Sequence, residues 1–171
     1  MLRSVFTSMP ARQSFRVHVT KDYLKFSAAH FIAYPGFRER LHGHNYRVSV
    51  SIHGPLGRQG YVVDFGVVKR IARRLCGELD ERVLIPQKSD CLTVREERDT
   101  VVVRYEQDEF SFPRGDVLLL PIIHSSAEEL AQYLAGELRR ALAEEGISGL
   151  TAVEVGVEES FGQAAVFRQE G

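Results

Sequence analysis

The chain has 171 residues, 44% hydrophobic and 26% charged, the proportions of an ordinary globular domain rather than of a disordered or fibrous chain. Twenty-two Lys and Arg against 23 Asp and Glu give a formal charge of −1, so no basic excess points to a nucleic-acid partner. No run of about 18 apolar residues offers a membrane span, and Cys76 and Cys91 are too few and too unpatterned for a disulfide framework or a thiolate metal site. The expectation is a cytoplasmic protein with a single domain over 14–171.

Residues 1–13 carry Arg3 and Arg12 but no acid and are expected to be a short leader. From Phe15 the sequence alternates: Phe15, Val17 and Val19 against Arg16, His18 and Thr20. That period of two predicts a half-buried strand, resuming through Tyr23–Ala29. Pro35-Gly36 marks a turn within the loop 33–40, and a second strand is predicted from His42 to about His53. Asp64 is a candidate N-cap for a helix over 66–79, whose stripe is Val68, Ile71, Leu75 and Leu79. An insert over about 88–116 reads as short strands at Cys91–Arg95, Thr100–Glu106 and Glu109–Phe112. Ser126-Ala-Glu-Glu129 has the capping-box pattern and opens a second helix with Leu130, Leu134, Leu138 and Leu142 on one side. Two closing strands follow, Thr151–Glu159 and Gln163–Arg168. The order predicts an α+β fold, an antiparallel sheet with helices packed on one face.

The chemistry begins at His42-Gly43-His44. On a strand, residues i and i+2 point to one side, here the side of Tyr46, Val48, Val50 and Ile52, which must be buried. Two imidazoles at the end of a buried face need partners, and a metal would satisfy both. Phe26, Ala28 and His30 share a face of the preceding strand, so a hairpin would bring His30 beside them. Three histidines without a fourth protein ligand make the catalytic type of zinc site, open to water or substrate. The cupin pattern is a poorer match, because the positions for its glutamate are Val48 and Ser49. His18 and His53 read as surface histidines.

Phe26-Ser-Ala-Ala-His30, Leu41-His-Gly-His-Asn-Tyr46, Val62-Val-Asp-Phe65, Leu79-Asp80, Ser126-Ala-Glu128 and Glu159-Ser160 before Phe167 recur, in that order, in one family. Over most of 14–168 the chain resembles the 6-pyruvoyl-tetrahydropterin synthase and 6-carboxy-tetrahydropterin synthase family. The resemblance implies the tunnelling (T-)fold, a homo-oligomer built as a trimer or a dimer of trimers, and a pterin site between subunits. It implies Zn2+ on His30, His42 and His44, in agreement with the spacing. It implies that Glu159 anchors the pterin, a carboxylate accepting two parallel N–H bonds from the aminopyrimidinone edge, and that Ser125 and Ser126 lie near the substrate. For Ser126 the capping box is an equally good explanation.

Two departures bear on activity. The synthases place a catalytic Cys four residues before His-Gly-His, where this chain has Arg38, which cannot serve as a base. They pair the aspartate matched by Asp80 with a following His, where this chain has Glu81. Glu39, three residues before His-Gly-His, resembles a branch in which Glu stands in place of the Cys and dihydroneopterin loses its side chain to give 6-hydroxymethyl-7,8-dihydropterin. The candidate catalytic set is thus Glu39 as base, Asp80, and His124 as a substitute proton shuttle. The bland alternative has Glu39 paired with Arg38 or Arg40 on an exposed loop. Three functions remain open: a zinc-dependent lyase on the side chain of dihydroneopterin or its triphosphate, a 6-pyruvoyl- or 6-carboxy-tetrahydropterin synthase with substitute residues, and a silent zinc- and pterin-binding homologue.

Overall fold

The computed structural model describes residues 14–171; the expected leader lies outside them. In chain order the elements are β1 (Phe15–His30), β2 (Ala33–Tyr34), β3 (Phe37–Arg38), β4 (His42–Gly54), α1 (Phe65–Leu79), β5 (Arg82–Pro86), β6 (Thr93–Glu96), β7 (Thr100–Tyr105), β8 (Asp108–Pro113), β9 (Val117–Leu120), α2 (Ala127–Glu144), β10 (Ala152–Ser160) and β11 (Gln163–Glu170).

β1 and β4 pair antiparallel, and their alternation explains why. Leu24, Phe26 and Ala28 of β1 are buried with Tyr46, Val48, Val50 and Ile52 of β4, while Lys25, Ser27, Asn45 and Arg47 face outward. The two segments expected for the first strand are one strand, with a register shift between Thr20 and Lys25 where the alternation lapses. β2 and β3 make a small hairpin turning at Pro35-Gly36, and Gly36 has φ of +85°, where a side chain would be strained.

The main sheet runs β11-β10-β4-β1-β5-β9. It is mixed, which corrects the antiparallel expectation: β5 pairs parallel to β1, and β9 parallel to β5. Neither strand alternates in sequence, because each is covered on both faces. Leu84 packs into the main core under the helices, and its neighbour Ile85 into a second core on the other side.

α1 and α2 lie together on one face of the sheet. Val68, Ile71, Leu75 and Leu79 of α1 join Leu130, Leu134, Leu138 and Leu142 of α2 in one core with Val153, Val155 and Val157 of β10. The Asp64 carboxylate accepts from the Gly66 amide at the start of α1. Ser126 caps α2 by accepting from the Glu129 amide, but the second half of the capping box differs: the Glu129 carboxylate accepts from the Ile123 and His124 amides. Cys76 is part of this core, and burial pushes its thiol up to about 12, so it is an inert packing residue.

The insert forms its own three-stranded sheet, β6-β7-β8, slightly displaced from the expected strands and leaving Cys91 before β6. Val101, Val103 and Tyr105 of β7 close the second core over Phe31, Ala33, Ile85 and Val117. The insert therefore packs against the residues that follow His30.

Candidate functional site

The hairpin register sets His30 directly opposite His42, and Ala28 opposite His44. The three imidazoles consequently converge, with ring centroids 4.7 to 5.2 Å apart and candidate ligand atoms all within 4.8 Å of one another. Gly43 separates the two histidines of β4 for a steric reason: a Cβ there would lie 3.1 Å from the Ala28 carbonyl oxygen.

Two main-chain carbonyls fix the ring tautomers. His30 Nδ1 donates to the Ser125 carbonyl at 2.8 Å, and His42 Nδ1 donates to the Arg40 carbonyl at 2.8 Å. A carbonyl can only accept, so each neutral ring keeps a lone pair on Nε2, as metal-ligating imidazoles do. His30 is 1% exposed and its Nε2 has no hydrogen bond among the described residues. Leaving such an atom unpaired costs about 1–3 kcal/mol, and a cation held by the three histidines would remove that cost. Burial above all holds the His30 pKa below the usual histidine value, reinforced by His42 and His44 and opposed by the Ser125 carbonyl and Glu159. A lowered pKa favours the neutral ring that a metal ligand requires. The donor set fits zinc.

Glu159, from the end of β10, closes the cluster. Its Oε1 accepts from the Tyr46 hydroxyl at 3.3 Å and lies 3.4 Å from His30 Nε2 and 3.5 Å from His44 Nε2. Tyr46 is fully buried; burial, and then the charge of Glu159, push its phenol well above the usual value, so it remains a donor that aims the carboxylate. Glu159 lines two recesses, of about 270 and 390 Å³. The smaller is shared with Ile32, Ser126 and Glu128; the larger contains His44, Arg47 and Phe161.

Glu39 lies between β3 and β4, and its Oε2 accepts from the Ile32 amide at 3.0 Å while its own amide donates to the Ile32 carbonyl. It is bound to the residue that lines the smaller recess with Glu159, and its charge adds to that of Glu159 in raising the Tyr46 pKa. Among the described residues Glu39 forms an ion pair with neither Arg38 nor Arg40: the Arg38 guanidinium pairs with Asp108, and Glu39 is half-buried.

The other expected residues are placed differently. Ser125 is wholly enclosed, its hydroxyl donating to the Phe31 carbonyl, so it orients His30 instead of meeting a ligand directly. Ser126 is the cap of α2 and also lines the smaller recess. Asp80 follows α1 and accepts from the Ser27 amide at 2.7 Å at the edge of β1; it makes no hydrogen bond to the histidines. Its neighbour Glu81 lines a third recess of about 470 Å³ that also includes His44 and Asn45. His124 has its amide held by Glu129 and its Nδ1 buried without a partner among the described residues; the structure does not bond it to the histidine cluster. His53 is half-buried and pairs with Glu154 at 3.0 Å, so only His18 is the surface histidine expected of both.

Sequence reasoning missed the Ser125 and Arg40 carbonyls, the Ile32 amide and Tyr46. Only Tyr46 had a signal, since it follows His44 by two residues on the same face.

Residues 18–170 match the family described as 6-pyruvoyl tetrahydropterin synthase. The chain belongs to that family. A Methanocaldococcus jannaschii relative named "Putative 6-carboxy-5,6,7,8-tetrahydropterin synthase" is 35% identical over 147 residues, covering 85% of this chain and 90% of that protein. Among solved structures, the Plasmodium vivax 6-pyruvoyltetrahydropterin synthase superposes with a TM-score of 0.88 at 36% identity, over 93% of this chain and 99% of that one. Two further structures of that protein are described as catalytic residue mutants, with a glutamate changed to alanine or to cysteine. The Plasmodium falciparum protein gives a TM-score of 0.86 at 37% identity, covering 92% and 99%. Membership and superposition establish the α+β T-fold and a tetrahydropterin synthase-like enzyme. No helix among the described residues is long and apolar enough to cross a membrane.

Proposed function

We propose that this family member is a zinc-dependent lyase that removes the side chain of 7,8-dihydroneopterin or its triphosphate, leaving 6-hydroxymethyl-7,8-dihydropterin. The observation that carries the reading is the placement of Glu39. It is the titratable side chain of the loop before His42 that is held against the recess wall, whereas Arg38 is committed to Asp108. The Plasmodium vivax structures support it further, because a glutamate is described as a catalytic residue in that protein at 36% identity.

His30, His42 and His44 would hold the zinc, which supplies Lewis-acid polarisation of a substrate hydroxyl. Glu39 accepts the proton of the hydroxyl on the second side-chain carbon. The bond between the first and second side-chain carbons breaks, its electron pair passes into the pterin imine, and a proton returned to the ring-attached carbon completes the hydroxymethyl group. The departing fragment is an aldehyde, carrying the triphosphate where the substrate has one. Glu159, aimed by Tyr46, accepts N–H bonds from the pterin edge, and Ser126 borders it. Asp80 and His124, unbonded to the cluster within one chain, are proton-transfer candidates only from a second subunit of a trimer or a dimer of trimers.

A second reading is favoured by the archaeal relatives: a 6-carboxy-tetrahydropterin synthase using Glu39 in place of the Cys. Incubation with dihydroneopterin and with its triphosphate, followed by chromatographic product identification, separates the two. The lyase yields 6-hydroxymethyl-7,8-dihydropterin, and a tetrahydropterin product overturns it in favour of the synthase. Binding without turnover would mark the silent homologue. Elemental analysis of protein purified without chelator is expected to find zinc; its absence overturns the metal assignment.

A further inference from the structure

Glu39 occupies a poor place for a catalytic base. It lies outside any strand, between a two-residue β3 and the start of β4, and loops position side chains less well than sheets. Besides its two bonds to Ile32, what holds it is Arg38. One guanidinium nitrogen donates to the Glu39 carbonyl at 2.8 Å, and two others bond Asp108 at the start of β8. The same guanidinium lies over the Phe110 ring at 5.0 Å and near the Phe31 ring at 5.9 Å, and those two rings stack at 5.1 Å. A second tie joins the same two hairpins through their other strands, from the Tyr105 hydroxyl of β7 to the Tyr34 carbonyl of β2 at 3.1 Å.

An exposed ion pair alone is worth little, and Asp108 is largely exposed. Here the pair is one side of a planar fork that also stacks on aromatic rings and reaches a main-chain carbonyl, a combination that lysine cannot reproduce. We propose that the β7–β8 hairpin of the insert is a clamp for the Glu39 loop, with Arg38 and Asp108 as positioning residues for the proton transfer. This rests on the reading of Glu39 as the base. It gives the insert a role in catalysis, and it explains what an arginine does beside a general base: the cation is turned away onto Asp108 and leaves the Glu39 carboxylate to the Ile32 amide.

The test combines Asp108→Asn and Arg38→Lys in the full-length protein with two readouts. Hydrogen exchange of peptides spanning 31–41 reports the Ile32 and Glu39 amides directly and needs no activity. In both variants exchange there is expected to rise while that of β10 is unchanged, and kcat to fall about tenfold at nearly constant KM, as a small displacement of a base would produce. In a Glu39→Gln background the additional loss of kcat should vanish. Unchanged exchange over 31–41 overturns the clamp. So does an equal kcat loss with Glu39 or Gln at that position, which would mean that the pair acts elsewhere. If Glu39→Gln alone retains full turnover, the reading of Glu39 as base fails, and the exchange data still decide whether the hairpin holds the loop.

Discussion

The wall that carries the histidines and the loop that carries Glu39 are held by different physics. His30, His42 and His44 ride on paired strands whose register cannot slip by one residue without turning Phe26, Tyr46 and Val48 out of the core. Their positions follow from main-chain pairing and burial. Glu39 sits just past the two-residue β2–β3 ladder and depends on its main-chain and carboxylate bonds to Ile32 and on Arg38, itself secured from a separate sheet. The candidate metal ligands thus stand on the rigid element and the candidate base on the adjustable one. Changes on the wall should abolish the site, whereas changes on the loop should alter rate with the site intact.

The largest effect is expected for His30→Ala. Even partners of metal ligands cost 10- to 100-fold when removed, so loss of a ligand should cost more than about a hundredfold in activity, with zinc content falling in elemental analysis. Retained zinc and turnover would break the distinction. Glu39→Gln comes next: kcat should fall about 10²- to 10⁴-fold, the usual share of a general base, while zinc content and pterin affinity stay near wild type. Glu159→Ala should act on binding, since charge-assisted hydrogen bonds contribute about 1.5–3 kcal/mol. A rise of roughly ten- to a hundredfold in the dihydropterin Kd, measured by fluorescence titration, is expected.

The smallest effect tests the far end of the same wall. Burial raises the Glu154 pKa, but the hydrogen bond from Arg168 and the charges of His53, Arg16 and Arg168 outweigh it and hold the carboxyl below its usual value. A group with a lowered folded pKa stabilises the fold above its unfolded value, about 4.3 for Glu, and that contribution is lost as pH falls through the folded value. Glu154→Gln should therefore flatten the acid limb of Tm against pH and leave zinc content untouched. An unchanged acid limb would mean that the network carries no net stability.

Elements whose pattern is local were legible. The alternation of β1 and β4, the leucine stripe of α2 and the caps at Asp64 and Ser126 each lie within a few residues and stand in the structure as expected. β5 and β9 were not, because a short apolar run covered on both faces has no period to read. Arg-Val-Leu-Ile-Pro and Val-Leu-Leu-Leu gain their meaning only from the two cores on either side of them. Within the site, the same division separates the histidines from the groups that orient them.

The sequence by itself determined that two imidazoles share a face and that a third stands on the preceding strand, because side-chain direction in a strand alternates with certainty. It also determined family membership, through motifs whose order survives divergence. Only the tertiary structure decided the rest. His30 takes its orientation from a carbonyl 95 residues away, and Arg38 takes its place from an aspartate 70 residues away. Such contacts depend on which faces of remote segments meet, and no local period encodes that.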